Sequence, residues 1–304
     1  RGSLPPEGAN FSWGGPAKNC RFCPMAVDAP YKLAGVMGWP VAHSRSPVIH
    51  NHWIAENGLR GAYVLLPVQP PNLERALRSL PILGFAGCNL TIPHKVEAVR
   101  LIDHIEPMAS RIGAVNTIVV EADGSLTGRN TDAYGFIQSL RDAQLGWTAA
   151  AGPAVVVGAG GAARAIIVGL IDAGATEIRL TNRSGAKAQD MAQEFGWPVQ
   201  AVAWDDRHDA LGGAALLVNT TSQGMHGEAP LDLRLDSLPV QALVADIIYV
   251  PLETPLLAAA RQRGYRTANG LGMLLNQARP AFEAWFGVAP ILSVALSDRI
   301  QATF

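Results

Sequence analysis

The chain is predicted to be an α/β protein of two units, on three observations. Short apolar strands alternate with helix-spaced segments along its length. A β-branched run, Val155-Val156-Val157, feeds a glycine turn that opens an apolar helix near the middle. At 304 residues the chain exceeds one average domain of roughly 100 to 200 residues.

Taken in order, residues 1–30 read as an N-terminal extension, because Pro5, Pro6, Gly8, Gly14, Gly15, Pro16 and Pro24 break any periodicity. The chain opens on Arg1-Gly2-Ser3 without an initiating Met, so the natural start stays open. Within the extension Cys20 and Cys23 have the spacing of half a zinc site, but only Cys88 remains to complete it, and no metal is expected. Strands are then predicted over 33–37, 63–68, 87–91 and 114–120, and helices from Pro47, over 73–80 and over 96–105. The last of these follows Pro93, a residue favoured in a first helical turn. The two units join near residues 130–135, where a helix is predicted over 133–140.

The second unit declares its chemistry at the glycine turn. Gly158 permits a tight exit from a strand, Gly160 lets backbone amides approach a pyrophosphate, and Ala163 completes a G-x-G-x-x-A pattern that packs helix on sheet. The helix over 162–173, with Gly174 as its stop, offers the positive end of its dipole to phosphate. This makes the unit Rossmann-like, a dinucleotide-binding domain with a parallel sheet. The next strand, 177–182, ends where NAD-binding sites carry an acid for the ribose 2′-hydroxyl. Here stand Asn182, Arg183 and Ser184, with Lys187 one turn on. Cations and a hydroxyl suit a 2′-phosphate, which favours NADP over the alternative of two solvated loop cations.

Composition narrows the partners. A net charge of −1 gives no electrostatic ground for nucleic acid or an anionic membrane surface, so small molecules are expected. The longest apolar stretch, 154–175, is interrupted by Arg164, Asp172 and glycines, and reads as buried core and not as a membrane span. Three cysteines make no disulfide framework, which points to a reducing, cytoplasmic setting.

Three segments of the first unit carry groups for chemistry. Ser44 and Ser46 stand two apart before a helix, an arrangement that can hold a carboxylate and that equally fits Ser46 as an N-cap ahead of Pro47. Lys95 is predicted in a first helical turn, where the dipole disfavours its charge. It is either an exposed surface lysine or a general acid or base. Asp132 opens the helix at the junction, and serves either the helix start or, across a cleft, a proton transfer with Lys95.

Together these segments resemble the shikimate dehydrogenase family, in order and over most of the chain from about Tyr31. The chain reads GWPVAHSRSPVIHN at 38–51, NLTIPHK at 89–95, GAVNT at 113–117 and GRNTDAYG at 128–135. It continues with GAGGAARA at 158–165, TNRS at 181–184, NTTSQGM at 219–225, DIIYVPLETPLL at 246–257 and NGLGMLLNQA at 269–278. The resemblance implies reversible reduction of 3-dehydroshikimate to shikimate with NADP, and Lys95 with Asp132 as the catalytic pair. It implies that Ser44 and Ser46 bind the substrate carboxylate, that Asn89, Thr91, Asn116 and Gln277 contact ring hydroxyls, and that Tyr249 lies near the substrate. For the cofactor it implies Gly158, Ala159, Gly160, Gly161, Ala162, Asn182, Arg183, Ser184, Lys187, Thr220, Ser222, Met225, Ile247 and Gly270. It also implies a substrate domain of 31–131 plus 271–304, a cofactor domain of 132–270, and a monomer or homodimer. Thr220 departs from the family pattern, in which many members carry Ala. Two other readings stand beside this one: a quinate/shikimate dehydrogenase with relaxed substrate or cofactor choice, and a non-catalytic NADP-binding sensor.

Overall fold

A computed structural model describes residues 30–303, so the expected extension and its Cys20 and Cys23 lie outside the described residues. The remaining chain builds two six-stranded sheets, flanked by helices.

The first sheet is formed from β1 (Lys32–Gly38), β2 (Gly61–Pro67), β3 (Phe85–Leu90), β4 (His104–Ile105), β5 (Thr117–Val120) and β6 (Leu126–Arg129). Its order is β2-β1-β3-β5-β6-β4, parallel about β1 and antiparallel where β5 meets β3 and β6. Between the strands run α1 (Ser46–Glu56), α2 (Leu73–Ser79), α3 (His94–Glu97) and α4 (Pro107–Ile112). The long α5 (Asp132–Ala143) leads into the second half.

There β7 (Ala154–Val157), α6 (Gly161–Asp172), β8 (Ile178–Thr181), α7 (Gly185–Phe195) and β9 (Val199–Val202) make two right-on βαβ steps outward. The chain then returns to the other side of β7 with β10 (Leu216–Asn219), β11 (Leu243–Asp246), α8 (Pro255–Gln262) and β12 (Arg266–Ala268). Every neighbour pair is parallel, and the order β12-β11-β10-β7-β8-β9 reverses direction between β7 and β10. That reversal is the switch point at whose carboxyl edge nucleotides bind in doubly wound sheets. Residues 154–157 are buried throughout, as a central parallel strand covered on both faces requires.

The last helices, α9 (Gly270–Phe286) and α10 (Val294–Gln301), tie the halves together. Seventeen residues give α9 a length of roughly 25 Å. It starts beside β12 and ends in the core of the first sheet, where Phe282 and Trp285 pack with Ile49, Trp53 and Tyr63. Leu296 and Ile300 of α10 join the same cluster. The first and second sheets thus share α9, and α5 lies along it: a Cβ added at Gly135 would meet Gln277 Cβ at 2.6 Å. Among the described residues no helix is long and apolar enough to cross a membrane.

Two predicted elements differ. The helix expected over 96–105 is one turn of α3, a 3₁₀ turn at Ala98–Arg100 and the edge strand β4. Tertiary bonds override its local preference: Asp103 accepts from the Leu126 amide at 2.9 Å, and His104 and Ile105 pair with β6. The strand expected over 114–120 begins at Thr117, because the Val115 amide donates to the Lys95 carbonyl at 2.8 Å and holds that segment against α3.

Candidate active site

The glycine turn has the geometry its sequence predicts. Gly158 takes φ +113, and a Cβ there would strike Thr220 Oγ1 at 2.5 Å. Thr220 donates that hydroxyl to the Val157 carbonyl at 2.8 Å, which ties the end of β10 to β7. Gly160 is the extended N-cap of α6, and a Cβ on it would meet nothing within 4 Å. The face is an open cradle at the end of a twelve-residue helix whose first amides have no intrahelical partners. Arg164, inside the same turn of helix, is not available to a phosphate. Its guanidinium is held by Glu194 and by the Ile112 carbonyl.

At the end of β8, Asn182 Nδ2 donates to the Ser184 carbonyl at 3.0 Å, and Ser184 is the N-cap of α7. Arg183 and Lys187 are exposed and form no ion pair among the described residues. Ser222 and Met225 follow β10, Ile247 follows β11, and Gly270 opens α9. Only glycine fits at 270, since a Cβ would stand 2.0 Å from the Ile247 carbonyl oxygen. All of these positions line the carboxyl edge of the parallel sheet, on both sides of its switch point. The cradle and the unpaired cations fit a dinucleotide bearing an extra phosphate.

The first sheet faces this edge with a polar cluster. Lys95 Nζ donates to Asp132 Oδ2 at 2.5 Å, with the two side chains 19% and 5% exposed. The cradle abuts them: a Cβ on Gly161 would lie 3.7 Å from Lys95 Cβ. Asp132 Oδ1 accepts from Asn116 Nδ2 at 2.8 Å, and the same amide donates to Gln277 Oε1 at 3.2 Å and Thr131 Oγ1 at 2.9 Å. Neither oxygen of Asp132 caps α5. Its amide is instead capped by Asn130 Oδ1 at 3.0 Å, so the helix-start role alone does not account for this acid. Lys95 lies in a helix of only four residues, too short for the dipole argument, and its electrostatic partner is the carboxylate.

Ser44 stands in the loop from β1 to α1, and Ser46 is the first residue of α1. Arg45, not Ser46, occupies the N-cap position, no side chain caps the helix, and the Ser46 amide donates to Ser44 Oγ at 3.3 Å. The N-cap reading of Ser46 therefore falls. The Thr91 amide donates to the Met37 carbonyl near the end of β1 at 3.0 Å. Tyr249 comes from the other half and meets the Arg45 backbone amide, and its burial pushes its hydroxyl above the ordinary phenol range. Asn116 thus joins Asp132 and Gln277, while Tyr249 meets the loop that carries Ser44 and Arg45.

Sequence reasoning missed Tyr63, Thr117 and His50. Tyr63 donates to Asn89 Oδ1 at 2.6 Å and bonds the Ser46 hydroxyl. A tyrosine on the buried phase of a strand carries a polar tip that needs a partner, and that is the signal available. At the back of the sheet, burial among aromatics lowers His50 from its ordinary value to about 3, and its ring stacks on Tyr63 at 4.1 Å.

Known proteins share both halves of this arrangement. The family described as shikimate dehydrogenase substrate binding domain matches residues 36–118, and the family described as shikimate / quinate 5-dehydrogenase matches residues 143–226. The shikimate dehydrogenase (NADP(+)) of Paramagnetospirillum magneticum is 55% identical over 271 residues, covering 89% of this chain and 97% of that protein. That of Rhodospirillum rubrum is 55% identical over 274 residues, with the same coverage. Among solved structures, shikimate 5-dehydrogenase from Thermus thermophilus in complex with NADP(H) and shikimate is 36% identical with a TM-score of 0.80, covering 90% of this chain and 100% of that one. Quinate dehydrogenase from Corynebacterium glutamicum in complex with NAD is 28% identical with a TM-score of 0.81, covering 90% and 99%. A doubly wound nucleotide edge facing a lysine–aspartate pair, in a chain of which such relatives cover 89%, places the chain in the shikimate dehydrogenase family.

Proposed function

We propose that this chain is an NADP-dependent shikimate dehydrogenase, interconverting 3-dehydroshikimate and shikimate in chorismate and aromatic amino-acid biosynthesis. The observation that carries the mechanism is the 2.5 Å contact of Lys95 with Asp132 beside the glycine turn. The residues along the carboxyl edge from Gly158 to Gly270 would hold NADPH, which when bound would supply the hydride for the ring ketone. Lys95 Nζ holds the ketone oxygen and donates its proton as that oxygen becomes a hydroxyl. In the reverse direction the same Nζ, neutral, takes the proton back from the hydroxyl, and the Asp132 carboxylate stabilises the ammonium that forms, a contribution of typically about 10² to 10⁴-fold. Asn116 fixes Asp132 by donating to its second oxygen. Ser44 and Ser46 bind the substrate carboxylate, Asn89, Thr91, Asn116 and Gln277 orient its ring, and Tyr249 closes the pocket from the opposite side.

The cofactor choice rests on Arg183 and Lys187, exposed and unpaired among the described residues, at a strand end without an acid. Residues 31–131 with 271–304 form the substrate domain and 132–270 the cofactor domain, in a cytoplasmic monomer or homodimer. Absorbance assays with shikimate and quinate, each with NADP and NAD, test the assignment. Fastest turnover is expected with shikimate and NADP. Faster turnover of quinate with NAD favours the relaxed dehydrogenase, and no turnover with any pair favours a sensor.

A further inference from the structure

A directed chain of hydrogen bonds runs through buried side chains of the first sheet and ends on the Lys95–Asp132 pair. The Tyr63 hydroxyl donates to Asn89 Oδ1 at 2.6 Å. Asn89 Nδ2 donates to Thr117 Oγ1 and to the Asn116 carbonyl, both at 3.1 Å. Thr117 donates to Asn116 Oδ1 at 2.9 Å, and Asn116 Nδ2 donates to Asp132 Oδ1 at 2.8 Å. Sheet register makes this row possible: Tyr63 pairs with Ala34, Asn89 with Val36, and Thr117 with Asn89, so the side chains share a face. Ala34 is small enough for the phenol to reach across β1, and the His50 ring stacks on it within 5° of parallel.

A primary amide can face either way, and here one-way groups set the direction that two hydroxyls complete: the Asn116 carbonyl can only accept from Asn89, and the Thr131 backbone amide can only donate, to Asn116 Oδ1 at 2.9 Å. Both amide hydrogens of Asn89 are used, and Tyr63 occupies one lone pair of Oδ1, so Asn89 has only acceptor capacity left. Turning Asn116 over would set its oxygen against the Asp132 carboxylate, two acceptors face to face, and would leave Thr117 without an acceptor.

We propose that Tyr63 and Thr117 are positioning residues of the reaction: with the Asn116 carbonyl and the Thr131 amide, their hydroxyls hold the amides of Asn89 and Asn116, so that Asn89 offers a substrate hydroxyl only an acceptor and Asn116 gives Asp132 only a donor. The proposal rests on the reading of Asn89, Lys95 and Asp132 as parts of a shikimate site. It goes beyond that reading by naming two residues that need not touch substrate, and by predicting which hydrogen-bonding partner the site accepts.

The test uses Tyr63→Phe, Thr117→Val and Thr117→Ser in the full chain, with steady-state kinetics on shikimate and its monodeoxy analogues, and melting curves alongside. Thr117→Val is expected to lower kcat about 10-fold or more with KM for NADP unchanged, and Thr117→Ser to recover most of it, because only the serine restores the hydroxyl. Tyr63→Phe is expected to raise KM for shikimate about 10-fold with kcat within about 3-fold. For one deoxy analogue, the one lacking the hydroxyl that Asn89 accepts, the penalty seen in the wild type should shrink in Tyr63→Phe. Equal penalties for every analogue, or Thr117→Ser as impaired as Thr117→Val, overturn the proposal. Should Thr117→Val fail to fold, the analogue comparison in Tyr63→Phe decides alone. A wild type inactive on shikimate overturns both this proposal and the functional reading, whereas an active wild type with unaltered variants overturns this proposal only.

Discussion

Lys95 keeps its ammonium in a pocket about four-fifths closed to solvent, against a carboxylate that is almost wholly buried. A pair so placed is held by its neighbours, since Asn116 and the Lys95 carbonyl's bond from Val115 fix both partners. Lys95→Ala should lower kcat by about 10² to 10⁴-fold while NADP binding, followed by fluorescence titration, stays near wild type. Near-normal turnover would remove Lys95 from the mechanism. At the far end of the cofactor edge, replacing Arg183 and Lys187 together by Ala should raise KM for NADP at least about 10-fold and leave that for NAD unchanged, because a 2′-phosphate loses both its cations. An equal rise for both cofactors would show that these residues serve the fold of the loop.

At the scale of elements, the crossing of α5 and α9 sets the site. Gly135 lets α5 approach so closely that an added methyl would lie 2.7 Å from the Gln277 amide nitrogen and 2.8 Å from the Met273 carbonyl oxygen. Asp132 stands three residues before this contact on α5, and Gln277 lies in it on α9. Gly135→Ala is therefore expected to cost about 1 to 3 kcal/mol by overpacking. It should also reduce kcat out of proportion to the fall in Tm, because separating the helices moves Gln277 away from Asn116. Melting curves and kinetics on one preparation check both effects, and an altered Tm with unaltered kcat would detach the crossing from catalysis. The same scale explains why the helix expected over 96–105 does not form. Pro93, favoured in a first helical turn, is the ground for that helix, but Asp103, pinned by Arg78 and the Leu126 amide, holds the segment at the sheet edge.

For the whole molecule, two buried groups in different halves give opposite pH responses. Burial lowers His50 from 6.5 to about 3, and both its ring nitrogens lack hydrogen-bond partners. Between those values the unfolded chain binds a proton that the fold refuses, so the stability present above pH 6.5 is lost as pH falls. Asp246 behaves the other way. Burial raises it from 3.8 to about 6 despite bonds from Ile248, Thr254 and Asn219, so the fold takes up a proton that the unfolded chain has released. Stability therefore rises as pH falls from about 6 to about 4, opposing His50 over that window. His50→Phe is expected to become more stable relative to wild type on going from pH 6 to pH 4, by up to roughly 3 kcal/mol, and Asp246→Asn less stable by a similar amount. Urea titrations at pH 7, 6, 5 and 4 measure both slopes, and parallel curves for all three proteins would refute the assignment.

The sequence by itself determined what is local. Strand-to-glycine-to-helix order, the absence of an acid after the second strand and the blocks around Ser44, Lys95 and Asp132 are written in consecutive residues, and the strand, glycine turn and helix stand where that order put them. The strand β4 and the start of β5 were less legible, because they are fixed by bonds to residues twenty or more positions away. Whether Lys95 meets Asp132, 37 residues on, was closed to sequence, as was the part played by Tyr63 and Thr117. Those contacts depend on the register of β2, β1, β3 and β5 and on α9 returning to the first sheet. Spacing along a chain reports which face a side chain takes, whereas only the packed sheet and helix decide which distant polar group it finds there.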